Sequence, residues 1–84
     1  MSVIVRVYGD LREVLGWSQK EVERGRNLGE TLRKVPLLWE SISKYPFDTL
    51  IILINGRNAR LSGGLEAEVK EGDVIDVFPP AAGG

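Results

Sequence analysis

Residues 74–78 read Val-Ile-Asp-Val-Phe, and a similar apolar alternation occurs near the other end of the chain in residues 3–7, Val-Ile-Val-Arg-Val. Alternation with a period of two residues is typical of a strand that buries one face. We predict that the two strands pair in parallel with residue 5 beside residue 75, because valine and isoleucine then face each other on one side. This pair of first and last strands would occupy the middle of a single sheet.

The opposite side of this predicted strand pair carries polar and aromatic residues. In the same register Arg6 lies opposite Asp76, and Tyr8 lies opposite Phe78. The first pair joins opposite charges and the second joins two rings, and both are favourable cross-strand neighbours. We therefore expect an aromatic pair at the point where the chain leaves the sheet.

The segment after the first strand predicts a short helix. Asp10 is a candidate N-cap, and Glu13 lies three residues later as its capping-box partner. Gly16 occupies the position where helices commonly end in the left-handed conformation. We expect one or two helical turns between these signals.

A second helical region is longer and is interrupted by a proline. Asn27 and Glu30 repeat the capping pattern. The apolar residues that follow share one helical face, and they are Leu28, Leu32 and Val35. Pro36 ends this helix because its ring and missing N–H disrupt a helix interior. We expect Pro36 to open a second helical segment that ends before residues 45–46, Tyr-Pro.

Three further strands are predicted from local patterns. The polar, alternating segment Gln19–Glu23 is typical of an edge strand. Residues 50–54 are apolar at every position, which predicts an interior strand buried on both faces. Asn55 and Gly56 then predict a tight hairpin into a short strand over residues 59–61.

The resulting order of the main elements is strand, strand, helix, strand, strand, strand. An α+β architecture satisfies this order, in which a mixed sheet packs on one helical layer with the first and last strands parallel in the middle. This is the arrangement of the ubiquitin-like β-grasp. We predict a β-grasp domain over residues 1–78 and an extended tail over residues 79–84.

The composition excludes several classes of function. The 84 residues contain no Cys and no His, so thiol nucleophiles, thiolate metal sites and histidine bases are absent. A net charge of -1 provides no basic field for nucleic acid or an anionic membrane. We expect a cytoplasmic protein with no bound cofactor, no metal site and no catalytic site of its own. The acidic residues near the last strand are interpreted as a solvated face or a surface for a basic partner, and they are Glu66, Glu68, Glu71, Asp73 and Asp76.

The tail reads Pro-Pro-Ala-Ala-Gly-Gly over residues 79–84. The two prolines stop the sheet and favour an extended arm, and the small residues after them form a main chain thin enough to enter a narrow tunnel. We expect a free carboxylate at Gly84. Attack of this carboxylate on the α-phosphate of ATP would give an acyl-adenylate, and sulfur could then displace AMP to leave a thiocarboxylate.

Four segments of the chain carry a resemblance to a known family. They are residues 7–16, residues 54–57 (Ile-Asn-Gly-Arg), residues 70–74 (Lys-Glu-Gly-Asp-Val) and residues 77–84, the Val-Phe-Pro-Pro-Ala-Ala-Gly-Gly ending. Together they resemble the small subunit of molybdopterin synthase, the MoaD family within the MoaD/ThiS group of sulfur carriers. The resemblance spans nearly the whole chain and is weakest over residues 36–48.

The resemblance implies specific chemistry at the tail. It implies that an activating enzyme of the ubiquitin-activating type (MoeB-like) uses ATP to adenylate Gly84, which is then thiocarboxylated, and that Gly83 lets the tail fit. The thiocarboxylate would enter the large subunit of molybdopterin synthase (MoaE-like) and donate sulfur for the dithiolene of molybdopterin. The residues implied to bind partners are Tyr8, Phe78, Pro79, Pro80, Ala81 and Ala82.

Three alternatives remain open from the sequence. The same activated Gly84 could be transferred to lysines of target proteins, as in archaeal small modifiers and Urm1-like proteins. A ThiS carrier of the thiazole pathway is disfavoured, because those chains are usually shorter over residues 36–48 and seldom carry the Phe-Pro-Pro ending. A non-covalent interaction module is the third alternative, and Tyr8 and Phe78 could equally serve to cover the sheet.

Overall fold

The computed structural model describes residues 1–81, which form five strands and three short α-helices. The elements in chain order are β1 (Ser2–Val7), α1 (Asp10–Leu15), β2 (Gln19–Glu23), α2 (Leu28–Arg33), α3 (Pro36–Ile42), β3 (Ile51–Ile54), β4 (Arg57–Asn58) and β5 (Val74–Phe78). Single 3₁₀ turns span Phe47–Thr49, Ala59–Ser62 and Gly64–Glu66. Within residues 1–81 no helix combines the length and the apolar character needed to cross a membrane.

The five strands form one mixed sheet in the order β2-β1-β5-β3-β4. The first and last strands are parallel neighbours, and Val5 lies beside Ile75 as predicted. β2 pairs antiparallel with β1, and β3 pairs antiparallel with the other side of β5. β5 is therefore the middle strand. A mixed sheet with helices on one side confirms the predicted ubiquitin-like β-grasp.

The core lies between one face of the sheet and the helical layer. Alternate residues of β1 and β5 point into it, and the helices contribute apolar side chains from the opposite side. The fully buried large residues include Val3, Val5, Val7, Leu11, Leu28, Leu32, Leu38, Ile75 and Val77. Trp17 and Trp39 are partly buried and pack against this core. The helical layer covers this one face, so the other face of the sheet is left for solvent or partners.

The two helix-start predictions have different outcomes. Asn27 caps α2, because its side-chain oxygen accepts a hydrogen bond from the backbone N–H of Glu30 at 2.8 Å. The prediction that Asp10 caps α1 is wrong. Asp10 is the first helical residue, and the N-cap is Gly9, with φ 59° and ψ -139° and no side-chain cap. This backbone conformation turns the chain out of β1 and favours glycine over any capping side chain. Gly16 does end α1 in the left-handed conformation, with φ 79°.

Pro36 opens α3 as predicted, but α2 ends two residues earlier than predicted, because Val35 is the N-cap of α3 and not a residue of α2. α2 ends at Arg33, and Pro36 is the first residue of α3, which ends at Ile42. Its fixed φ is compatible with the first turn of a helix but not with an interior position. The two short helices therefore form one interrupted layer.

Two predictions about the β3–β4 region are corrected. β3 does not bury both faces, since Ile51 is 50% exposed, because the helical layer covers the sheet on one face only. The tight turn at Asn55 and Gly56 forms, with φ 51° and 83°. The strand after it is only Arg57–Asn58, not residues 59–61. The side chain of Asn58 accepts a hydrogen bond from the backbone N–H of residue 60 at 3.0 Å, which starts a 3₁₀ turn and ends the strand.

Candidate partner-binding face and tail exit

An aromatic stack marks the end of the central strand. The rings of Tyr8 and Phe78 lie with centroids 4.2 Å apart and planes 9° from parallel. The guanidinium carbon of Arg12 lies 5.3 Å from the centroid of the Tyr8 ring, within the range of a cation–π interaction. The aromatic pair expected from strand register is therefore present where the chain leaves the sheet.

A buried carboxylate, that of Asp76, is hydrogen-bonded to the Tyr8 side of this stack. Asp76 is 5% exposed and accepts hydrogen bonds from Arg6 Nε at 2.6 Å, from Arg6 Nη2 at 3.1 Å and from the Tyr8 hydroxyl at 2.7 Å. The Arg6 pairing was predicted from register, whereas the Tyr8 hydrogen bond was not. Tyr8 therefore contacts Asp76 through its hydroxyl and Phe78 through its ring, and the two contacts together restrain the orientation of the ring.

The same contacts shift three pKa values. The hydrogen bond from Arg6 lowers the pKa of Asp76, with a smaller contribution from Tyr8, and burial opposes both. The hydrogen bond to Asp76 raises the pKa of Arg6 and is the main reason that the pKa of Tyr8 is raised. At neutral pH Asp76 is therefore a carboxylate, and Tyr8 remains a protonated donor.

Beyond Phe78 the chain runs beside the exposed side of β3. An open groove at this point is lined mainly by apolar atoms, and its residues are Thr49, Ile51, Leu53, Phe78, Pro79, Pro80 and Ala81. Ile51 is the register partner of Phe78, and Leu53 is the partner of Asp76. We use the term outer apolar face for Ile51, Leu53 and Phe78, the residues of this groove that lie on β3 and β5.

Most of the predicted partner-binding residues come together at this face. Tyr8, Phe78, Pro79, Pro80 and Ala81 lie at the end of β5 or immediately beyond it. Ala82, Gly83 and Gly84 were also predicted, and they lie outside the described residues. The site thus consists of an aromatic stack, an apolar groove and the beginning of the tail.

Sequence reasoning missed Ile51 and Leu53 as surface residues. Residues 50–54 are all apolar, so no polar alternation indicated which side of the strand was exposed. The available signal was the register of β3 against β5, which puts Ile51 opposite Phe78 on the outer side. Ile51 and Leu53 adjoin Phe78 and the two prolines, and a contiguous apolar surface indicates a binding site where a single exposed apolar residue does not.

One of the acidic residues near the last strand, Asp73, stabilises a turn. Among residues 1–81 no three carboxylates are placed to hold a metal ion together. Asp73 instead accepts hydrogen bonds from the backbone N–H of Lys70 at 2.7 Å and from Asn55 Nδ2 at 2.9 Å. These bonds stabilise the turn that leads into β5.

Comparison with known proteins identifies the family. The ThiS family model matches residues 5–84, which is nearly the whole chain. The chain belongs to the ThiS family. The match begins within β1, includes all of β5 and continues through the Gly-Gly ending, which is the segment on which the predicted sulfur chemistry depends.

Individual relatives share the fold and differ in their described roles. A protein of Archaeoglobus fulgidus described as a candidate sulfur carrier is 52% identical over 33 residues, or 39% of this chain and 38% of that protein. The solution structure of small archaeal modifier protein 1 from Methanosarcina acetivorans has a TM-score of 0.78 and 31% identity, covering 99% of this chain and 96% of that one. A chain of the BexX/CysO complex of Amycolatopsis orientalis has a TM-score of 0.81 and 29% identity, covering 98% and 99%.

The similarity to a molybdopterin-related protein concerns the fold alone. A Pyrococcus furiosus protein described as a candidate molybdopterin converting factor subunit 1 has a TM-score of 0.73 at 24% identity, covering 96% of this chain and 99% of that one. The family match and these neighbours together establish a ubiquitin-like protein of a sulfur-carrier family. These relatives carry several different descriptions, so the acceptor of this chain is a separate question.

Proposed function

We propose that the chain is a sulfur carrier that is loaded at Gly84 and acts as the small subunit of molybdopterin synthase. The main observation in its support is that Pro79 to Ala81 leave the middle strand of the sheet beside the outer apolar face. A partner enzyme that acts on the tail also binds the domain close to residue 79, where the tail begins. An exposed apolar groove is a suitable surface for that contact. The family match through residue 84 adds support.

Loading requires two steps in which Gly84 supplies only its carboxylate. A carboxylate oxygen attacks the α-phosphorus of ATP, the bond to the β-phosphate oxygen breaks, and pyrophosphate leaves. Hydrosulfide then attacks the carbonyl carbon of the acyl-adenylate, the bond to AMP breaks, and the sulfur loses its proton. The product is a thiocarboxylate, and with sulfide as the donor no atom changes oxidation state.

In this proposal the residues of the chain bind and orient rather than transfer protons. The outer apolar face docks on the activating enzyme, which supplies the ATP site. The two prolines restrict φ at the start of the tail, so less conformational entropy is lost when the tail enters a tunnel. Glycine at residues 83 and 84 leaves the reacting carbonyl open to close approach.

The proposed acceptor is the pterin precursor of the molybdopterin dithiolene. Overall, sulfur replaces an oxygen on the acceptor, and that oxygen returns the tail to a carboxylate. A dithiolene contains two sulfur atoms, so each product requires two loaded chains. The test is to mix thiocarboxylated chain with the large synthase subunit and the sulfur-free precursor. We expect dithiolene at half the amount of chain consumed, whereas thiocarboxylate that persists without product would refute this acceptor.

The second candidate is a covalent protein modifier. It is favoured by the similarity to small archaeal modifier protein 1 over nearly the whole of both chains. In this case a lysine amine of a target attacks the acyl-adenylate, AMP leaves, and an isopeptide bond forms. Affinity purification of tagged chain from its host, followed by peptide mass spectrometry, distinguishes the two. Gly84 joined to lysine side chains supports the modifier, and free thiocarboxylate alone supports the carrier.

A further inference from the structure

A close contact between Gly9 and Pro79 lies where the tail leaves the sheet. A Cβ atom placed on Gly9 would lie 3.2 Å from Cγ and 3.7 Å from Cδ of the Pro79 ring. The first distance is shorter than an ordinary contact between carbon atoms. The Pro79 ring can therefore lie this close to the backbone of residue 9 only because residue 9 has no side chain.

Gly9 is held firmly by the elements on both sides of it. The backbone N–H of Tyr8 donates to the carbonyl of Val77 at 3.2 Å, which joins the end of β1 to the end of β5. The backbone N–H of Arg12 donates to the carbonyl of Gly9 at 3.1 Å, which joins residue 9 to α1. Two consecutive residues, Tyr8 and Gly9, thus contact two consecutive residues at the tail exit, Phe78 and Pro79.

From this geometry we propose that Gly9 is a positioning residue that sets the direction in which the tail leaves the domain. This inference rests on the proposed function, because direction matters only if Gly84 must reach a reaction centre on a partner. The domain docks through the outer apolar face, and the tail must then point at the adenylation site. Proline restricts φ, so Pro79 and Pro80 form a stiff segment. A change in the orientation of Pro79 therefore changes the direction of the chain that follows.

The substitution that tests this is Gly9→Ala, with Gly16→Ala as its matched control. Both glycines have positive φ at one end of α1, but Gly9 with ψ -139° is in a region nearly restricted to glycine, whereas Gly16 with ψ 12° is left-handed helical. Gly9→Ala therefore strains the backbone more, and the double variant below separates that strain from the contact with Pro79. Nothing lies within 4 Å of a Cβ at Gly16, whereas a Cβ at Gly9 meets Pro79. The two variants therefore differ in whether the new methyl group contacts the tail, and both are assayed below their melting temperatures.

The readout is steady-state adenylation by the activating enzyme of the same organism, followed as pyrophosphate release with the chain as variable substrate. Gly9→Ala is expected to lower kcat about tenfold, since small errors in placement slow reactions strongly. KM is expected to stay unchanged, because the outer apolar face that docks is intact. Gly16→Ala is expected to change neither value. A loss of stability alone would not produce this split between kcat and KM.

A double variant identifies the Pro79 ring as the cause. In a Pro79→Ala background the ring is gone, so adding Gly9→Ala should lower kcat no further. An equal loss of kcat in both backgrounds, or no loss in Gly9→Ala alone, would overturn the inference. If Gly9→Ala does not fold, Pro79→Ala is compared with Pro80→Ala, which loses the same restriction of φ but no ring beside residue 9. A lower kcat in Pro79→Ala than in Pro80→Ala supports the contact, and equal kcat values refute it. A wild-type chain that is never adenylated would instead refute the proposed function.

Discussion

Asp76 is the residue that links the interior of the sheet to its binding face. It accepts three hydrogen bonds, two from Arg6 and one from Tyr8, and it is almost fully buried. A buried carboxylate is tolerated when charge-assisted hydrogen bonds replace its lost hydration. Because Tyr8 also stacks on Phe78, this one carboxylate orients the aromatic pair at the tail exit.

Replacement of this carboxylate by an amide should destabilise the domain. Asp76→Asn keeps the shape but removes the charge, and we expect the free energy of unfolding to fall by about 1–2 kcal/mol, a value reduced by the solvent exposure of Arg6. Urea denaturation at pH 7 measures the change. Glu40→Gln, an exposed substitution on α3, is the control and should stay within about 0.5 kcal/mol of wild type.

The same carboxylate predicts a dependence of stability on pH. Because the pKa of Asp76 is lower in the folded chain, its contribution is fully present above the unfolded-state pKa of about 4. That contribution is lost as the pH falls through the folded-state pKa. The stability difference between wild type and Asp76→Asn should therefore shrink in acid. A difference that grows between pH 6 and pH 3 would contradict this assignment.

Ile51 allows a direct test of the outer apolar face. Ile51→Asp places a charge in the groove beside the tail, and we expect the KM for the activating enzyme to rise about tenfold or more, because a charge buried in an interface loses its hydration. Leu37→Asp is the control, since Leu37 is similarly exposed but belongs to α3 in the helical layer. Similar KM values for the two variants would show that partners do not use this face.

At the scale of elements, patterns that repeat along the chain predicted more than single-residue signals did. The register of β1 against β5 was predicted from matched alternation, because a slip by one residue would reverse every side chain. The Asp10 cap and the strand at residues 59–61 were predicted wrongly, because each rested on one or two residues with several possible local structures. The Tyr8–Asp76 hydrogen bond was missed because register gives opposite neighbours, whereas these two residues are diagonal.

The contribution of the Asn27 cap of α2 to the stability of the domain can be measured separately. Asn27→Ala removes the acceptor for the backbone N–H of Glu30 and should cost about 1 kcal/mol in urea denaturation. Asn27→Asp retains the acceptor and adds a favourable charge at the helix start, so it should cost little. Adenylation kinetics should be unchanged in both variants, because α2 lies in the helical layer. An equal loss for alanine and aspartate would rule out capping as the cause.

At the scale of the whole molecule, the helical layer and the binding face lie on opposite sides of one sheet. The domain buries its core against the helices, and the middle strand carries the tail past the uncovered side. Stability and partner contact therefore depend on largely separate sets of residues, and Asp76 contributes to both. The sequence could predict this division because the two sides of β1 and β5 differ in composition, whereas it could not show which side of the uniformly apolar β3 is exposed.

Removal of the last two residues should separate folding from function. A chain that lacks residues 83–84 should keep the thermal melting temperature of the full chain, since the core described here lies within residues 3–77. It should lose adenylation completely, because the carboxylate would no longer reach the reaction centre. Thermal denaturation and pyrophosphate release measure the two properties. Normal adenylation of the shortened chain would contradict the proposed role of the tail.

The most direct test of the central claim is the intact mass of the full chain after incubation with ATP, sulfide and the activating enzyme. We predict the mass increase that corresponds to one oxygen replaced by one sulfur, and fragmentation should map it to Gly84. The chain shortened by two residues provides the matched control and should not change in mass. An activating enzyme that consumes ATP in the presence of the chain but leaves its mass unchanged, or sulfur that maps to any other residue, would contradict the account.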